Sequence, residues 1–314
     1  MTKVSLPRTS EISINDCHCH FFSHRFFQQL AHEKEFEGSQ DPVAEVTELL
    51  GWESPGSNTN LTERWVRELD CNQVDRAALI ASIPGDEESV GAAVEQHPGR
   101  FVGFFMVNPH QEGAPGRIQR AVTELGMRCI CLFPAMHHFR LYEDESLAVF
   151  ETAASLSNVA VFVHCGVLSV GVRGKLDLPS RFSMRLSNPL DLHSVALSFP
   201  ELPIILPHFG AGLFREALML ADLCPNVYLD SSSSNSWIKY LPSLTLEDVF
   251  RQALDVIGPD RLLFGTDSSF FPRGWQRPVW ESQAAVLESI GVDDDIKAKF
   301  FSGNFSRLFP QPSS

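Results

Sequence analysis

Basic side chains are scarce in this chain of 314 residues, where 25 Lys and Arg stand against 39 Asp and Glu for a formal net charge of -14. A phosphate backbone or an anionic membrane face needs a basic surface, so neither nucleic acid nor membrane is an expected partner. Long apolar runs are missing too. No stretch approaches the ~20 apolar residues of a membrane span, and the opening Met1 to Arg8 has no apolar core of signal-peptide length, which points to a cytoplasmic protein. Seven cysteines are too sparse for a disulfide scaffold, and an odd number cannot all pair, so reduced thiols are expected.

What is present is an ordinary globular composition, 44% hydrophobic and 20% charged, enough for a full core. Short apolar runs alternate with amphipathic stretches. After a first strand opening at Ile12 to Asn15, strands are expected at Arg76–Ser82, Phe101–Val107, Arg128–Phe133, Val159–Val163, Pro203–Leu206, Val227–Asp230 and Arg261–Gly265. Most are unbroken Val, Ile, Leu and Phe, as in parallel strands buried on both faces. Helical spacing recurs between them, as in Glu143–Leu156 and Leu213–Leu223, the latter placing Leu213, Ala217, Leu220 and Ala221 on one face. Eight strand–helix units in this length fit an α/β fold of one domain, a (β/α)8 TIM barrel, better than two domains. One connection is far too long for that fold: residues 21–60 form an inserted region after the first strand, with a helical piece at Asp41–Leu50. It leaves from the strand end that carries the chemistry described next, so it is expected to act as a lid or substrate wall.

Asp16-Cys17-His18-Cys19-His20 places two imidazoles one residue apart at a strand end. Alternation sends His18 and His20 to one face together with Asp16, and Cys17 and Cys19 to the other, so two histidines can chelate one ion from a single strand. Three further runs end in metal-competent groups: the fifth in His164-Cys165-Gly166, the sixth in His208-Phe209-Gly210, the eighth in Gly265-Thr266-Asp267. Each alone has a plain structural explanation. Together they converge on the carboxyl rim of a barrel, where such folds carry their active sites.

The ordered set resembles amidohydrolase family 2, from Asp-x-His-x-His through His-x-Gly, His-x-Gly-x-Gly and Gly-Thr-Asp to the terminal Gly303-Asn304-Phe305-Ser306-Arg307-Leu308-Phe309. That branch holds aminocarboxymuconate semialdehyde decarboxylase, resorcylate-type decarboxylases and pyrone dicarboxylate or muconolactone hydrolases, and the likeness runs from about Ile12 to Phe309. It implies that His18, His20, His164 and Asp267 bind one divalent ion, zinc before manganese, and that His208 is the acid–base residue, with Asp267 sharing in catalysis. Three imidazoles and one carboxylate suit zinc, with a position left open for water or substrate. The resemblance further implies a hydrolase in which metal-activated water attacks a lactone, ester or amide carbonyl; the alternative is a non-oxidative decarboxylase acting on an aromatic or muconate-like acid. Homo-oligomers through barrel faces occur in the family. The terminal Gly-Asn-x-x-Arg-Leu-Phe reads as a structural lock through Asn304 and Arg307.

One departure matters. Many members carry a Lys on the fourth strand where this chain has Cys131, which cannot form a carbamylated bridge, so a two-metal site is not expected. The loops suggest the substrate. His137 and His138 follow the fourth strand and are kept outside the catalytic set. Arg173, Lys175, Arg181 and Arg185 follow the fifth, and Arg273 follows the eighth. A guanidinium at such a rim suits a carboxylate, so the expected partner is a small organic acid or lactone, with Arg273, just beyond Asp267, the residue to hold it.

Overall fold

Parallel strands in unbroken chain order form the frame of the computed structural model, which describes residues 12–36 and 39–311. They are β1 (Asn15–Phe21), β2 (Arg76–Ala81), β3 (Phe101–Val107), β4 (Met127–Leu132), β5 (Ala160–Val163), β6 (Ile204–Leu206), β7 (Val227–Asp230) and β8 (Leu262–Leu263). The ring closes where the chain leaving β8 returns to β1. There Cys17 N–H donates to Phe264 O at 2.9 Å, Asp267 N–H to His18 O at 2.9 Å and His20 N–H to Ser268 O at 2.7 Å. The expected (β/α)8 barrel is the observed fold, with every strand within a few residues of its expected place. Residues 1–11, read above for a leader, lie outside the described residues. Among the described residues no helix is long and apolar enough to cross a membrane.

Burial on both faces explains the apolar strands. Leu79, Phe105, Ile130 and Val161 pack outwards under the helices, while Ile80, Phe104, Cys129, Cys131 and Phe162 fill the barrel interior. Buried thiols act here as small apolar groups, and burial pushes the Cys129 thiol well up, so it stays protonated. The helix expected at Glu143–Leu156 runs Asp144–Ser155, with those two residues as its caps. The one expected from Leu213 begins at Phe214 and buries Phe214, Ala217, Leu220 and Ala221, Leu213 serving as its cap. At the chain's end, Asn304 Nδ2 donates to Pro259 O (2.7 Å) and Leu262 O (2.8 Å), and Arg307 donates to Asn304 Oδ1 and Asp260 O. Phe305 and Phe309 plug the amino end of the barrel interior. The lock read from the sequence is therefore a lock on β8.

The inserted region holds two helices, His24–Glu33 and Pro42–Leu50, before the helix Asn58–Asn72 begins. Phe26, Phe27, Leu30, Val43, Val46 and Leu50 build a small core of their own, completed by Val172 and Leu176 from the loop after β5. It is thereby packed over the carboxyl rim.

β1 departs from the alternation assumed above. Its pairing with β2 slips between Asp16 and Cys19, so that Cys17 and His18 together stand opposite one β2 residue. Such a bulge shifts every later side chain by one position. Cys17 consequently joins the barrel interior, and Cys19 joins the outer layer. His18 and His20 share the interior as expected, but Asp16 does not share it with them. The Asp16 carboxylate, fully buried, turns into the seam between β1 and β8. There it accepts from His18 N (2.8 Å), Thr266 N (3.1 Å), Thr266 Oγ1 (2.5 Å) and Trp275 Nε1 (2.7 Å). The amide that the bulge removes from the ladder is the one Asp16 takes.

Replacing Asp16 with Ala leaves a buried indole N–H and two amides without acceptors, and is expected to cost about 3 kcal/mol or more in urea unfolding at neutral pH. A loss below about 1 kcal/mol would show that the seam is held by its backbone bonds alone.

Candidate active site

Every histidine singled out in the strand-end motifs stands at the carboxyl end of its strand. His18 and His20 lie on β1, His164 directly follows β5, His208 sits in the turn after β6, and Asp267 follows β8. Two of these positions are strained: His208 has φ 56° and Asp267 φ 59°, left-handed conformations that non-glycine residues rarely adopt. Such strain persists where the surroundings over-determine it, commonly at functional residues. Glycines make the approach possible. At Gly166 (φ 79°) a Cβ would run into the carbonyl oxygens of Gly210 and Ala211, so only glycine lets the turns carrying His164 and His208 touch. At Gly265 a Cβ would lie 2.9 Å from His18 Cβ and 3.0 Å from Ser232 Cβ.

Three ligand atoms converge. His18 Nε2 and His20 Nε2 are 3.4 Å apart, and Asp267 Oδ1 lies 3.3 Å from the second and 3.7 Å from the first. Ligands about 2.1 Å from a tetrahedral zinc stand about 3.4 Å from one another. The protonation pattern makes the same point. His18 Nδ1 meets the Asp230 carboxylate at 2.8 Å, an acceptor only, so Nδ1 carries a proton and, in the neutral ring, Nε2 is bare. His20 Nδ1 meets Ser82 Oγ at 2.8 Å, whose own proton goes to Ile80 O at 3.0 Å, so Ser82 accepts and His20 Nε2 is bare as well. Two imidazole lone pairs and a carboxylate oxygen facing one another repel unless a cation lies among them. The residues present therefore fit a divalent ion.

His164 and His208 flank this trio. His164 lies outside the tight cluster, and its Nδ1 is buried without a hydrogen-bond partner. Burial, reinforced by His208 and His18, pushes His164 well down, so its ring is neutral and able to act as a donor to a metal. The His208 ring lies 5.0 Å from that of His18 and 5.3 Å from that of His164. Its Nδ1 contacts Ser232 O at 3.1 Å and Ser232 Oγ at 2.9 Å; the carbonyl only accepts, so Nδ1 is protonated and Nε2 is left for proton transfer. Ser232 Oγ is also 2.9 Å from His18 Nδ1, so one hydroxyl touches both imidazoles.

These groups open into a cavity of about 750 Å³. The inserted region supplies part of its wall through Phe22, Phe26 and Trp52, and Trp52 lies flat on Phe270 at 3.8 Å. Arg273 also lines it: its Nη2 donates to Asp267 O (3.1 Å) and Ser269 Oγ (2.6 Å), its guanidinium lies 4.6 Å over Phe270, and among the described residues it has no ion-pair partner. Arg173 is engaged with Glu33 at 2.7 Å, whereas Lys175 reaches the cavity beside Trp52. His137 and His138 stand apart from the histidine cluster, in a neighbouring cavity.

A family profile described as Amidohydrolase matches residues 16–311. The chain belongs to the amidohydrolase family. Among curated proteins, this amidohydrolase is 36% identical over 107 residues to Protein fluG of Emericella nidulans, a match spanning 34% of this chain and only 12% of that protein. Among solved structures it is similar to a variant of 5-carboxyvanillate decarboxylase from Novosphingobium aromaticivorans, solved with manganese and 3-methoxy-4-hydroxy-5-nitrobenzoic acid. That likeness has a TM-score of 0.63 at 16% identity, covering 95% of this chain and 97% of the other. It is also similar to an amidohydrolase from Burkholderia multivorans with bound zinc, with a TM-score of 0.57 at 13% identity over 96% of this chain and all of the other. At such identities these likenesses establish the fold.

Sequence reasoning missed Asp230, Ser232 and Ser82. A signal was there for the first: the β7 run ends in a carboxylate, Val227-Tyr228-Leu229-Asp230, at the same rim as the other strand ends. Serines carry no such signal, since nothing in a Ser marks which imidazole it will meet.

Asp230→Asn keeps the shape but removes the charge that orders His18. Zinc affinity measured by chelator competition is expected to fall about 10- to 100-fold with the far-ultraviolet spectrum unchanged; affinity within twofold of wild type would mean that Asp230 does not orient a ligand.

Proposed function

We propose that this amidohydrolase is a metal-dependent hydrolase of a small carboxylate-bearing substrate, with His18, His20, His164 and Asp267 holding one divalent ion, zinc before manganese, and His208 moving the proton. The observation that carries the reading is the trio His18 Nε2, His20 Nε2 and Asp267 Oδ1, 3.3 to 3.7 Å apart, with each imidazole held through its Nδ1. A divalent ion bound there supplies Lewis acidity and lowers the pKa of a water.

The chain's own groups do the rest. Asp230 and Ser82 hold the two β1 imidazoles in the tautomer that leaves Nε2 free. His208, its Nδ1 engaged by Ser232, offers Nε2 to take a proton from the attacking water and return it to the leaving group. Burial, with His18 adding to it, pushes the His208 pKa down, so the ring enters the reaction neutral, as a base must. Arg273 receives the substrate carboxylate at the rim, in a chain whose net charge otherwise repels anions. Phe22, Trp52 and Phe270 wall out water and favour a planar body. Decarboxylation would use the same groups, with His208 delivering a proton to the carbon that loses carbon dioxide.

Elemental analysis should find about one zinc or manganese per chain in wild type. The variant with His18→Ala and His20→Ala together should lose both the ion and activity while remaining folded; full occupancy in it would refute the ligand set. His208→Ala should keep the ion and lose about 10²- to 10⁴-fold in turnover on a panel of lactones, esters, amides and aromatic acids. Carbon dioxide release from aromatic acids on that panel, without ring opening or ester cleavage, would replace the hydrolase reading by the decarboxylase.

Removing the guanidinium in Arg273→Ala should raise KM about tenfold or more for a carboxylate substrate and leave a neutral analogue nearly unchanged. Equal effects on both would take Arg273 out of substrate recognition.

A further inference from the structure

A second cavity of about 610 Å³ lies against the histidine cavity. The two share a wall: Phe26, Ser82, Met106, Met136, Val170 and Val172 face both. Ser82 marks how close the second space comes to the chemistry, because its hydroxyl is the partner of His20 Nδ1 at 2.8 Å. Most of the shared wall is unbranched Met or aliphatic Val, side chains that yield to a ligand more readily than backbone does.

The lining that belongs to the second cavity alone is mixed: Leu30, Ile83, Pro84, Pro179 and Phe182 form an apolar part, and polar groups stand beside it, some without an equal partner. His137 Nδ1 is buried and unbonded, and burial together with His138 pushes this imidazole down to about 4, so it presents a neutral ring. Arg181 has no ion-pair partner among the described residues, whereas Arg173 on the same loop is paired with Glu33. Size argues in the same direction. Pockets of about 300–1,000 Å³ hold whole drug-sized ligands, so the histidine cavity alone exceeds the need of one small acid, and the adjoining space is surplus to it.

We propose that the second cavity binds the distal apolar half of a two-part substrate, an amide or ester of a carboxylate-bearing acid. The acid half lies by Arg273, the carbonyl at the histidines, and an aryl or alkyl group between Ile83, Phe182 and the shared wall. This rests on the carboxylate-binding hydrolase reading above and narrows it from a small acid or lactone to a conjugate. The reaction balances as simple hydrolysis: the acyl carbon's bond to nitrogen or oxygen breaks, water's oxygen joins the acyl carbon, and a water proton leaves on the amine or alcohol.

Calorimetric titration of the zinc-loaded protein with succinamate and with N-phenylsuccinamate tests this, because the two differ only by a phenyl group. In wild type the phenyl group should strengthen binding about tenfold or more. In Ile83→Trp, which fills the second cavity alone, that gain should shrink to within twofold while succinamate binds as before. Ile83→Phe replaces the Trp variant if circular dichroism shows the latter misfolded. No gain from the phenyl group in wild type, or a gain that survives both variants, would overturn the proposal. Failure of the underlying reading looks different: succinamate binding would be indifferent to Arg273→Ala while the phenyl gain and its sensitivity to residue 83 remained.

Discussion

A single buried carboxylate holds the seam on which the site is built. Asp16 gathers donors from β1, from the chain leaving β8 and from Trp275, and so fastens the first strand to the last at the rim where the chemistry lies. Burying a carboxylate is costly unless its lone pairs are filled, and four donors fill them here. Burial raises the Asp16 pKa, and the Thr266, His18 and Trp275 donors pull it back. The same side chain stabilises the bulge by taking the His18 amide out of the ladder. Without the bulge, strand alternation would have to choose between placing Cys17 and His18 in the barrel interior. With it, both fit, one as filling and one as a ligand-bearing group.

The convergence of His18, His20 and Asp267 costs conformational energy, and the barrel absorbs it. Asp267 is held at positive φ while its amide bonds back to His18 O, and His208 sits at positive φ in a turn braced by Ala211 N–H to His208 O. Each such residue costs of order 1–3 kcal/mol. The compensation comes from strands buried on both faces and from the Asn304 and Arg307 lock, which grips β8 from the opposite end of the barrel. Rigid strand ends then present imidazoles whose tautomers are set by Asp230, Ser82 and Ser232 before any substrate arrives, a preorganisation that loops alone would not give.

Charge and aromaticity are distributed to match. The chain as a whole is strongly acidic, yet Lys175 stands over the Trp52 and Phe270 rings and Arg273 over Phe270 at the cavity. The inserted region makes this possible. Phe22 just before its first helix and Trp52 just after its second stand at the rim, and the Glu53 amide bonds Phe271 O at 3.0 Å, so insertion and eighth loop meet as one wall. The long connection, anomalous by length, is thus part of the cavity.

Local pattern determined much by itself. Apolar runs buried on both faces specify their strands wherever they fall, which is why all eight strands, their order and the strand-end residues His18, His20, His164, His208 and Asp267 were legible in the amino-acid order. The terminal lock was legible through the motif Gly303 to Phe309, although Pro259, Asp260 and Leu262, which it grips, lie far back in the sequence. Tertiary structure alone decided the rest. The bulge that sends Asp16 into the seam and Cys17 inside depends on how β1 pairs with β2 and β8, and no local spacing records a register slip. Asp230, Ser82 and Ser232 became partners of imidazoles because the ends of β1, β2, β6 and β7 meet: His18 reaches Asp230 and Ser232, His20 reaches Ser82, and His208 reaches Ser232. The cavities, too, exist only between elements. A strand's own residues state which way it is buried, but what stands across from it is set by packing, a property of pairs of elements and not of either one.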